Sequence, residues 1–206
     1  MKPDLFPPLP DRKYDIIVAD PAVEMKLFSQ KGWAKSQMAH YKCLPIEAFH
    51  DLPVQSIARA DSWLFLWSTA PHLEKTFALM NAWGFSYCSR LAWRKVTAAR
   101  KVRTGPGFVV RTQHEDILIG KRGAPLYSHA LPSILEDDGS MFDGVAREHS
   151  RKPDEFYAMV DRCAPKLIPR ADIFARTTRP LWDVFGNETG KFTDGQAQDL
   201  GGRAPG

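Results

Sequence analysis

An apolar segment near the N-terminus ends abruptly on an acidic residue and a proline. Residues 14–19 read Tyr-Asp-Ile-Ile-Val-Ala and are followed directly by Asp20 and Pro21. The segment has the length of a buried strand, and a proline after it is typical of a strand end. In open α/β sheets, ligands bind outside the carboxyl ends of the strands. We therefore predict that Asp20 lies at the ligand-binding edge of a sheet.

Strand-like and helix-like segments alternate along the rest of the chain. The predicted strands are residues 62–67, 85–93, 115–120, 172–175 and 182–185, and the predicted helices are residues 45–49, 71–83 and 153–163. Pro153 is suited to a first helical turn, and Gly84 stands where a helix-terminating glycine is expected. Residues 123–146 are predicted to be mostly loop, with a turn at 137–139. The alternation favours the α/β class, with a mixed, mostly parallel sheet flanked by helices.

The length and composition fit one globular domain. With 206 residues, of which 44% are hydrophobic, the chain is long enough for one substantial core. We expect a proline-rich arm at residues 1–13, one domain at 14–192 and a flexible tail at 193–206. The three cysteines show no metal-ligand or disulfide spacing, and no segment reads as a membrane span or a secretory leader. We therefore expect a cytoplasmic protein that binds no metal ion.

Two segments combine positive charge with residues suited to nucleic acid. Residues 24–42 mix lysines with aromatic side chains, and residues 94–111 are crowded with arginine and lysine. The formal net charge of +4 is small, and either segment could simply be a hydrated surface. The second segment follows a predicted strand, which favours phosphate contacts near the edge that holds Asp20. The residues predicted to make such contacts are Lys95, Arg100, Lys101 and Arg103.

An ordered set of short motifs resembles the MT-A70 family of N6-adenine methyltransferases. These motifs are Ala19-Asp20-Pro21, Leu64-Phe65-Leu66-Trp67, Gly105-Pro106-Gly107-Phe108, Arg111, His114-Glu115, Ser150-Arg151-Lys152-Pro153-Asp154-Glu155 and Gly186-Asn187. The resemblance runs from about Tyr14 to about Phe192. It implies a Rossmann-like, S-adenosylmethionine-dependent methyltransferase fold with permuted motif order, and methyl transfer to the exocyclic amine of adenine in nucleic acid.

The resemblance also assigns roles to individual residues. It implies a catalytic segment of Asp20, Pro21, Ala22 and Val23, in which the Asp20 carboxylate and the Pro21 carbonyl accept hydrogen bonds from the adenine amine. The implied cofactor-binding residues are Asp20, Lys152, Arg176, Asn187 and Glu188. The implied substrate rim consists of Arg111, His114 and Glu115. Without the family pattern, Lys152 would read as a surface lysine at a helix start and Arg176 as an ordinary charge at a strand end.

The catalytic segment departs from the family pattern at two positions. The family has Asp-Pro-Pro followed by an aromatic residue, whereas this chain has Ala22 and Val23 at the last two positions. Stacking of a base on an aromatic ring is worth roughly 1–3 kcal/mol, and proline locks a backbone angle that Ala22 leaves free. We therefore predict that methyl transfer is weakened or lost. A ring from Phe28 or Trp33 is a less favoured substitute.

Two functions from different classes follow from these observations. The first is an adenine methyltransferase of bacterial or phage type, acting on DNA, with activity reduced by Ala22 and Val23. The alternative is an inactive pseudo-methyltransferase that binds nucleic acid or a protein partner. A nucleotide-binding oxidoreductase is disfavoured because the first strand lacks the glycine-rich turn that dinucleotide binding needs. A homodimer is compatible with the family.

Overall fold

A computed structural model describes residues 8–25, 43–107, 109–126, 140–147, 151–164, 168–187 and 189–190. Several predictions concern residues outside these ranges. They are the turn at 137–139, the aromatic residues Phe28 and Trp33, the cofactor contact of Glu188, and most of the N-terminal arm and the tail.

Seven strands form one sheet in the described part of the chain. They are β1 (Tyr14–Ala19), β2 (Ala58–Ser68), β3 (Ser86–Val96), β4 (His114–Arg122), β5 (Met141–Val145), β6 (Arg170–Ile173) and β7 (Asp183–Phe185). Their order across the sheet is β5-β3-β4-β2-β1-β6-β7. The strand β4 is antiparallel to both of its neighbours, and the other pairings are parallel. The predicted mixed, mostly parallel α/β sheet is confirmed.

The predicted segments 71–83 and 153–163 contain α-helices and the segment 45–49 contains a 3₁₀ helix, whereas the 3₁₀ helix at Val54–Ser56 was not predicted. The helices are α1 (Leu73–Ala82), α2 (Asp154–Cys163) and three short 3₁₀ helices at Ile46–Phe49, Val54–Ser56 and Ala70–His72. Gly84 follows α1 with a φ of 81°, the left-handed conformation in which glycine commonly ends a helix. No helix in these ranges has the length and apolar character needed to cross a membrane.

Several strand bounds differ from the prediction, and the largest extension is that of β2, which begins four residues early at Ala58. The strand β5 lies within residues 123–146, which were predicted to be mostly loop. The strand β6 begins two residues earlier than predicted, and it also ends two residues earlier, because Phe174 adopts a left-handed φ of 67°. The strand β3 continues to Val96, so Arg94 and Lys95 belong to a strand rather than to the basic loop.

The sheet is buried on both faces. Alternate residues of β2 point to opposite sides, so Leu64 and Leu66 join one core cluster and Phe65 and Trp67 join the other. The first cluster contains α1 and its Met80, while the second contains α2. Because both faces are covered, polar side chains at the strand ends meet solvent at an edge of the sheet.

Candidate functional site

The carboxyl ends of six parallel strands lie at one edge of the sheet. Asp20 follows β1 there, and Lys152 follows β5 after a short connection. Because β4 runs in the opposite direction, its first residues, His114 and Glu115, reach the same edge. The topology therefore brings together acidic and basic residues that are far apart in the sequence.

Four side chains form a continuous row of alternating charge at this edge. The Lys152 ammonium lies 3.0 Å from Oδ1 of Asp20 and 3.0 Å from Oε2 of Glu115. The other carboxylate oxygen of Glu115 accepts a hydrogen bond from Lys95. Lys152 and Glu115 are only 11% and 15% exposed, so each of them needs an opposite charge to be stable at its position.

Burial and pairing set the protonation of this row. Burial raises the pKa of Asp20, and the Lys152 ammonium only partly offsets that rise. Burial would also raise the pKa of Glu115, but Lys152 and Lys95 outweigh it and lower that pKa to about 2. Burial disfavours the charged form of Lys152, yet the two carboxylates raise its pKa above the usual value. Lys152 and Glu115 therefore stay charged at neutral pH.

Two tryptophan rings lie close to the ammonium groups of Lys152 and Lys95. The Lys152 Nζ lies 4.6 Å from the centre of the Trp67 ring, and the Lys95 Nζ lies 5.1 Å from the Trp93 ring. The two rings pack edge to face at 5.9 Å. Cations are attracted to the faces of such rings, so the two tryptophans stabilise both lysines in their positions beside Glu115.

The backbone around Lys152 is fixed by an arginine and by close packing. Arg147 donates a hydrogen bond to the Lys152 carbonyl at 3.2 Å and pairs with Asp154 at 2.7 Å. Pro153 precedes the first residue of α2. A Cβ atom on Gly144 would lie 2.7 Å from Cβ of Pro153 and 2.5 Å from Nε1 of Trp93. Only glycine therefore fits at position 144 without displacing this support.

Replacement of Gly144 by alanine should destabilise the protein. The added methyl group would push against Trp93 and Pro153, and overpacking of this kind typically costs about 1–3 kcal/mol. Gly190→Ala is the matched control, because a Cβ atom there meets nothing within 4 Å. Urea unfolding should show a lower midpoint for Gly144→Ala alone, and equal midpoints for the two variants would contradict this packing argument.

A polar pocket of about 290 Å³ opens beside Asp20. It lies at the ends of β1 and β6, with the start of α2 on one side. Its lining is rich in charged side chains: Asp20, Arg151, Lys152, Tyr157, Asp172, Phe174, Ala175, Arg176, Thr177 and Arg179. Of the predicted cofactor residues, Asp20, Lys152 and Arg176 line this pocket. Asn187 follows β7 and is exposed.

A buried tyrosine and a buried aspartate meet in this pocket, and the sequence analysis did not identify them. The Tyr157 hydroxyl donates to Oδ2 of Asp172 at 2.7 Å, and the Arg179 guanidinium stacks 3.7 Å from the centre of the Tyr157 ring. Asp172 is 3% exposed. Burial raises its pKa to about 7, although Tyr157 and Arg179 favour its ionised form. A buried carboxyl with such a pKa changes its charge near neutral pH.

The backbone after Asp20 forms a tight turn. The Val23 N–H donates to the Pro21 carbonyl at 2.9 Å, and the Leu44 N–H donates to the Ala22 carbonyl at 2.9 Å. The Val23 side chain is 9% exposed and belongs to the first core cluster. The residue at the family's aromatic position therefore packs into the core. The Pro21 carbonyl keeps one lone pair for another donor.

The predicted substrate residues occupy the connection between β3 and β4 and its two ends. Lys95 and Glu115 take part in the charged row, while His114 lies 3.8 Å from Asp116. Arg111 donates to the Gly105 carbonyl at 3.2 Å. Arg100, Lys101 and Arg103 are exposed. Phosphate contacts by these residues stay a prediction.

The donor set shows what the site could hold. Among the described residues, no group of three or more histidine, cysteine, aspartate or glutamate side chains is placed to bind a metal ion. The pocket instead offers carboxylates for positively charged groups and lysine or arginine for negatively charged ones. A ligand that carries both signs of charge fits this lining.

Comparison with known proteins identifies relatives. The MT-A70 family profile matches residues 14–188. The chain is 28% identical to the type II methyltransferase M.MunI of Mycoplasma sp, over 90% of this chain and 82% of that protein. It is 26% identical to the human N(6)-adenosine-methyltransferase catalytic subunit METTL3 and 27% identical to a Medicago truncatula protein named putative N(6)-adenosine-methyltransferase MT-A70-like. Each of these two matches covers 85% of this chain but only 28% and 26% of the relative.

The match reaches from β1 through β7, so it includes Asp20 and every described residue that lines the pocket. The fold agrees with it, since the sheet is mostly parallel and carries the charged residues at one edge. This chain belongs to the MT-A70 family, whose relatives found here are methyltransferases.

Proposed function

We propose that this chain transfers a methyl group from S-adenosylmethionine to N6 of adenine in DNA, with activity reduced by Ala22 and Val23. The observation that carries the proposal is the position of Asp20, which pairs with Lys152 at 3.0 Å in the wall of a charged pocket. The choice of DNA keeps the prediction made from the sequence, and the chain spans 82% of the type II methyltransferase M.MunI but only 28% of the N(6)-adenosine-methyltransferase METTL3.

The pocket residues suit S-adenosylmethionine. The Asp20 and Asp172 carboxylates can pair with the positive groups of that molecule, and Lys152 and Arg176 can bind its carboxylate and ribose. When bound, the cofactor would supply a methyl group on a positively charged sulfur. Calorimetric titration with S-adenosylmethionine tests the fit, and folded protein that gives no heat at high cofactor concentration would refute it.

The segment after β1 suits the adenine amine. The lone pair of that amine is delocalised into the ring, so it is a poor nucleophile. The Asp20 carboxylate and the remaining lone pair of the Pro21 carbonyl can each accept one of its N–H bonds. Both acceptors hold the nitrogen in one orientation, and orientation is a large source of rate enhancement. Such a site requires the base to leave its stack.

The direct experiment measures transfer of a labelled methyl group to nucleic acid. Unmethylated genomic DNA provides all sequence contexts, and an RNA transcript of mixed sequence tests the other substrate class. Digestion to nucleosides identifies the product, which should be N6-methyladenine from the DNA. Label in N6-methyladenine from RNA alone would overturn the choice of DNA, and absence of label from both would overturn the enzymatic proposal.

Restoring the family pattern should raise activity. Ala22→Pro locks the backbone beside the Pro21 carbonyl, and Val23→Trp supplies a ring worth roughly 1–3 kcal/mol of stacking, or about tenfold to a hundredfold in rate. The double variant must move its new side chain out of the core, where Val23 is packed. Methyl transfer by wild type and double variant should therefore be compared at equal amounts of folded protein, and equal rates would refute the claimed impairment.

The alternative is a pseudo-methyltransferase that binds nucleic acid or a protein partner. It is favoured by the packing of Val23 in the core and by the engagement of Asp20 with Lys152. The double variant discriminates between the two functions. Activity gained on restoration indicates a disabled enzyme, whereas continued inactivity with intact DNA binding indicates a binding module.

A further inference from the structure

Two adjacent valines are strongly exposed at the tip of the connection between β3 and β4. Val109 is 98% exposed and Val110 is 75% exposed. Single apolar residues on a surface are ordinary. Two neighbours that both project into water, on a segment that is otherwise basic, instead point to a surface that is covered when a partner binds.

The base of this connection, residues 97–113, is held by backbone hydrogen bonds. The Arg103 N–H donates to the Lys95 carbonyl at 2.7 Å, and the Lys95 N–H donates to the Gln113 carbonyl at 2.9 Å. Further out, the Gly105 N–H donates to the Thr112 carbonyl at 2.7 Å. The two sides of the connection are therefore joined at its base, and its tip comprises the described residues 106–107 and 109–111.

The described residues of the tip make close internal contacts. The Thr112 hydroxyl donates to the Pro106 carbonyl at 2.8 Å. A Cβ atom on Gly107 would collide with the Val110 carbonyl oxygen, so glycine is required at this close approach. A tip that is already folded presents its two valines without a large ordering cost on binding.

Positively charged residues flank the valines in the sequence. Residues 97–113 contain no aspartate or glutamate. Their cationic members are Arg100, Lys101, Arg103 and Arg111. An apolar tip flanked only by positive charge complements a polyanion that has an apolar interior. Stacked bases inside a phosphate backbone have this arrangement.

The tip is continuous with the charged row. Lys95 and Glu115, which carry the two ends of the connection, pair with each other, and Glu115 also pairs with Lys152. Five residues separate Val110 from Glu115, so the chain places their Cα atoms at most about 17 Å apart. DNA bound by the arginines and lysines would therefore lie beside the pocket.

We propose that Val109 and Val110 form an apolar wedge that enters the base stack of duplex DNA and fills the space left by the extruded adenine. The inference rests on the proposed function, because it assumes that a base is brought to Asp20. Apolar side chains of other DNA-binding proteins enter base steps in this way. The wedge lowers the cost of extrusion in a duplex and has no role on a single strand.

The test is a binding comparison that does not require methyl transfer. Three fluorescent 24-nucleotide DNA probes are titrated by anisotropy: a single strand, a fully paired duplex, and the same duplex with one central abasic gap. The wild-type protein should bind the gapped duplex about tenfold more tightly than the paired duplex, because unstacking costs a few kcal/mol that the gap removes in part. Val109→Ser/Val110→Ser should lose that preference and keep its affinity for the single strand.

Leu126→Ser is the matched control, because Leu126 is 81% exposed and follows β4 at the opposite edge of the sheet. It should behave as wild type. The proposal is overturned if wild type shows no preference for the gap, if the double variant retains the preference, or if single-strand affinity falls equally. It is also overturned if the double substitution changes the elution volume in size-exclusion chromatography, since the tip would then be a protein contact.

The outcome is separable from that of the proposed function. If the wild-type protein prefers the gapped duplex but transfers no methyl group, the wedge proposal is supported and the proposed enzymatic function is refuted. If the protein methylates native and heat-denatured DNA but shows no preference for the gapped duplex, only the wedge proposal is refuted.

Discussion

Replacement of Asp20 by asparagine should lower methyl transfer by about a hundredfold or more, the loss typical when one well-placed catalytic group is removed. The Lys152 ammonium can only donate hydrogen bonds, so the new amide would turn its oxygen toward Lys152. Its NH₂ group would then face the adenine amine, where an acceptor is needed. The substitution therefore replaces attraction by a clash of two donors.

Asp15→Asn is the control for this experiment, because it makes the same exchange within β1, five residues before Asp20 and away from the residues that line the pocket. Methyl transfer should be unchanged in that variant. Asp20→Asn should unfold at a urea midpoint near that of wild type, since Lys152 keeps its pairing with Glu115 at 3.0 Å. Undiminished transfer by Asp20→Asn would remove Asp20 from the catalytic role.

The central part of the fold follows from local sequence patterns. The apolar runs of β1 and β2 have strand length and are bounded by polar residues, and α1 is marked by its apolar spacing and by Gly84. These signals are local, because each concerns burial of one face or the end of one element. The edge position of Asp20 is predicted from the same pattern.

Other elements lack a local signal. The strand β5 is only five residues long and includes Asp143 and Gly144, residues that are uncommon in strands. It is stabilised by its parallel pairing with β3 and by the close approach of Gly144 to Trp93, which no sequence window contains. The early end of β6 depends on the unusual backbone of Phe174, which is not a residue type that favours a positive φ.

The charged row shows most clearly which contacts cannot be predicted from local sequence patterns. The family resemblance assigns Lys152 to the cofactor and Glu115 to the substrate rim, yet the structure joins them through one ammonium group. Lys95 was grouped with the basic loop because it neighbours Arg94 in the sequence. Its partner Glu115 becomes visible only when β3 and β4 are paired antiparallel, which places the end of one beside the start of the other.

The second large expected effect is a dependence of the free energy of unfolding on pH, caused by the titration of Asp172. The folded-state pKa of this carboxyl is about 7, above its ordinary value of 3.8. The folded protein therefore binds the proton more tightly than the unfolded chain. The resulting stabilisation is fully present below pH 3.8 and is lost as the pH rises through about 7.

Asp172→Asn removes this titration. The side-chain oxygen of asparagine can still accept the hydrogen bond from the Tyr157 hydroxyl, and the amide group carries no charge. The free energy of unfolding of the variant should therefore rise relative to wild type by about 3 kcal/mol between pH 5 and pH 8, at about 1.4 kcal/mol per pH unit up to the folded-state pKa. Urea unfolding at each pH measures the difference, with Asp15→Asn as the control. A difference that stays constant with pH would contradict the buried, titrating carboxyl.

The same carboxyl links stability to ligand binding. Ionised Asp172 is costly in the empty pocket, but a positively charged group of a bound cofactor would compensate its charge. Affinity for S-adenosylmethionine should then increase as the pH rises through about 7 in the wild type, while Asp172→Asn should bind with little dependence on pH in that range. Calorimetry in buffers of different ionisation enthalpy would detect the proton that leaves Asp172 on binding. If wild type and variant release the same number of protons, Asp172 does not face the cofactor.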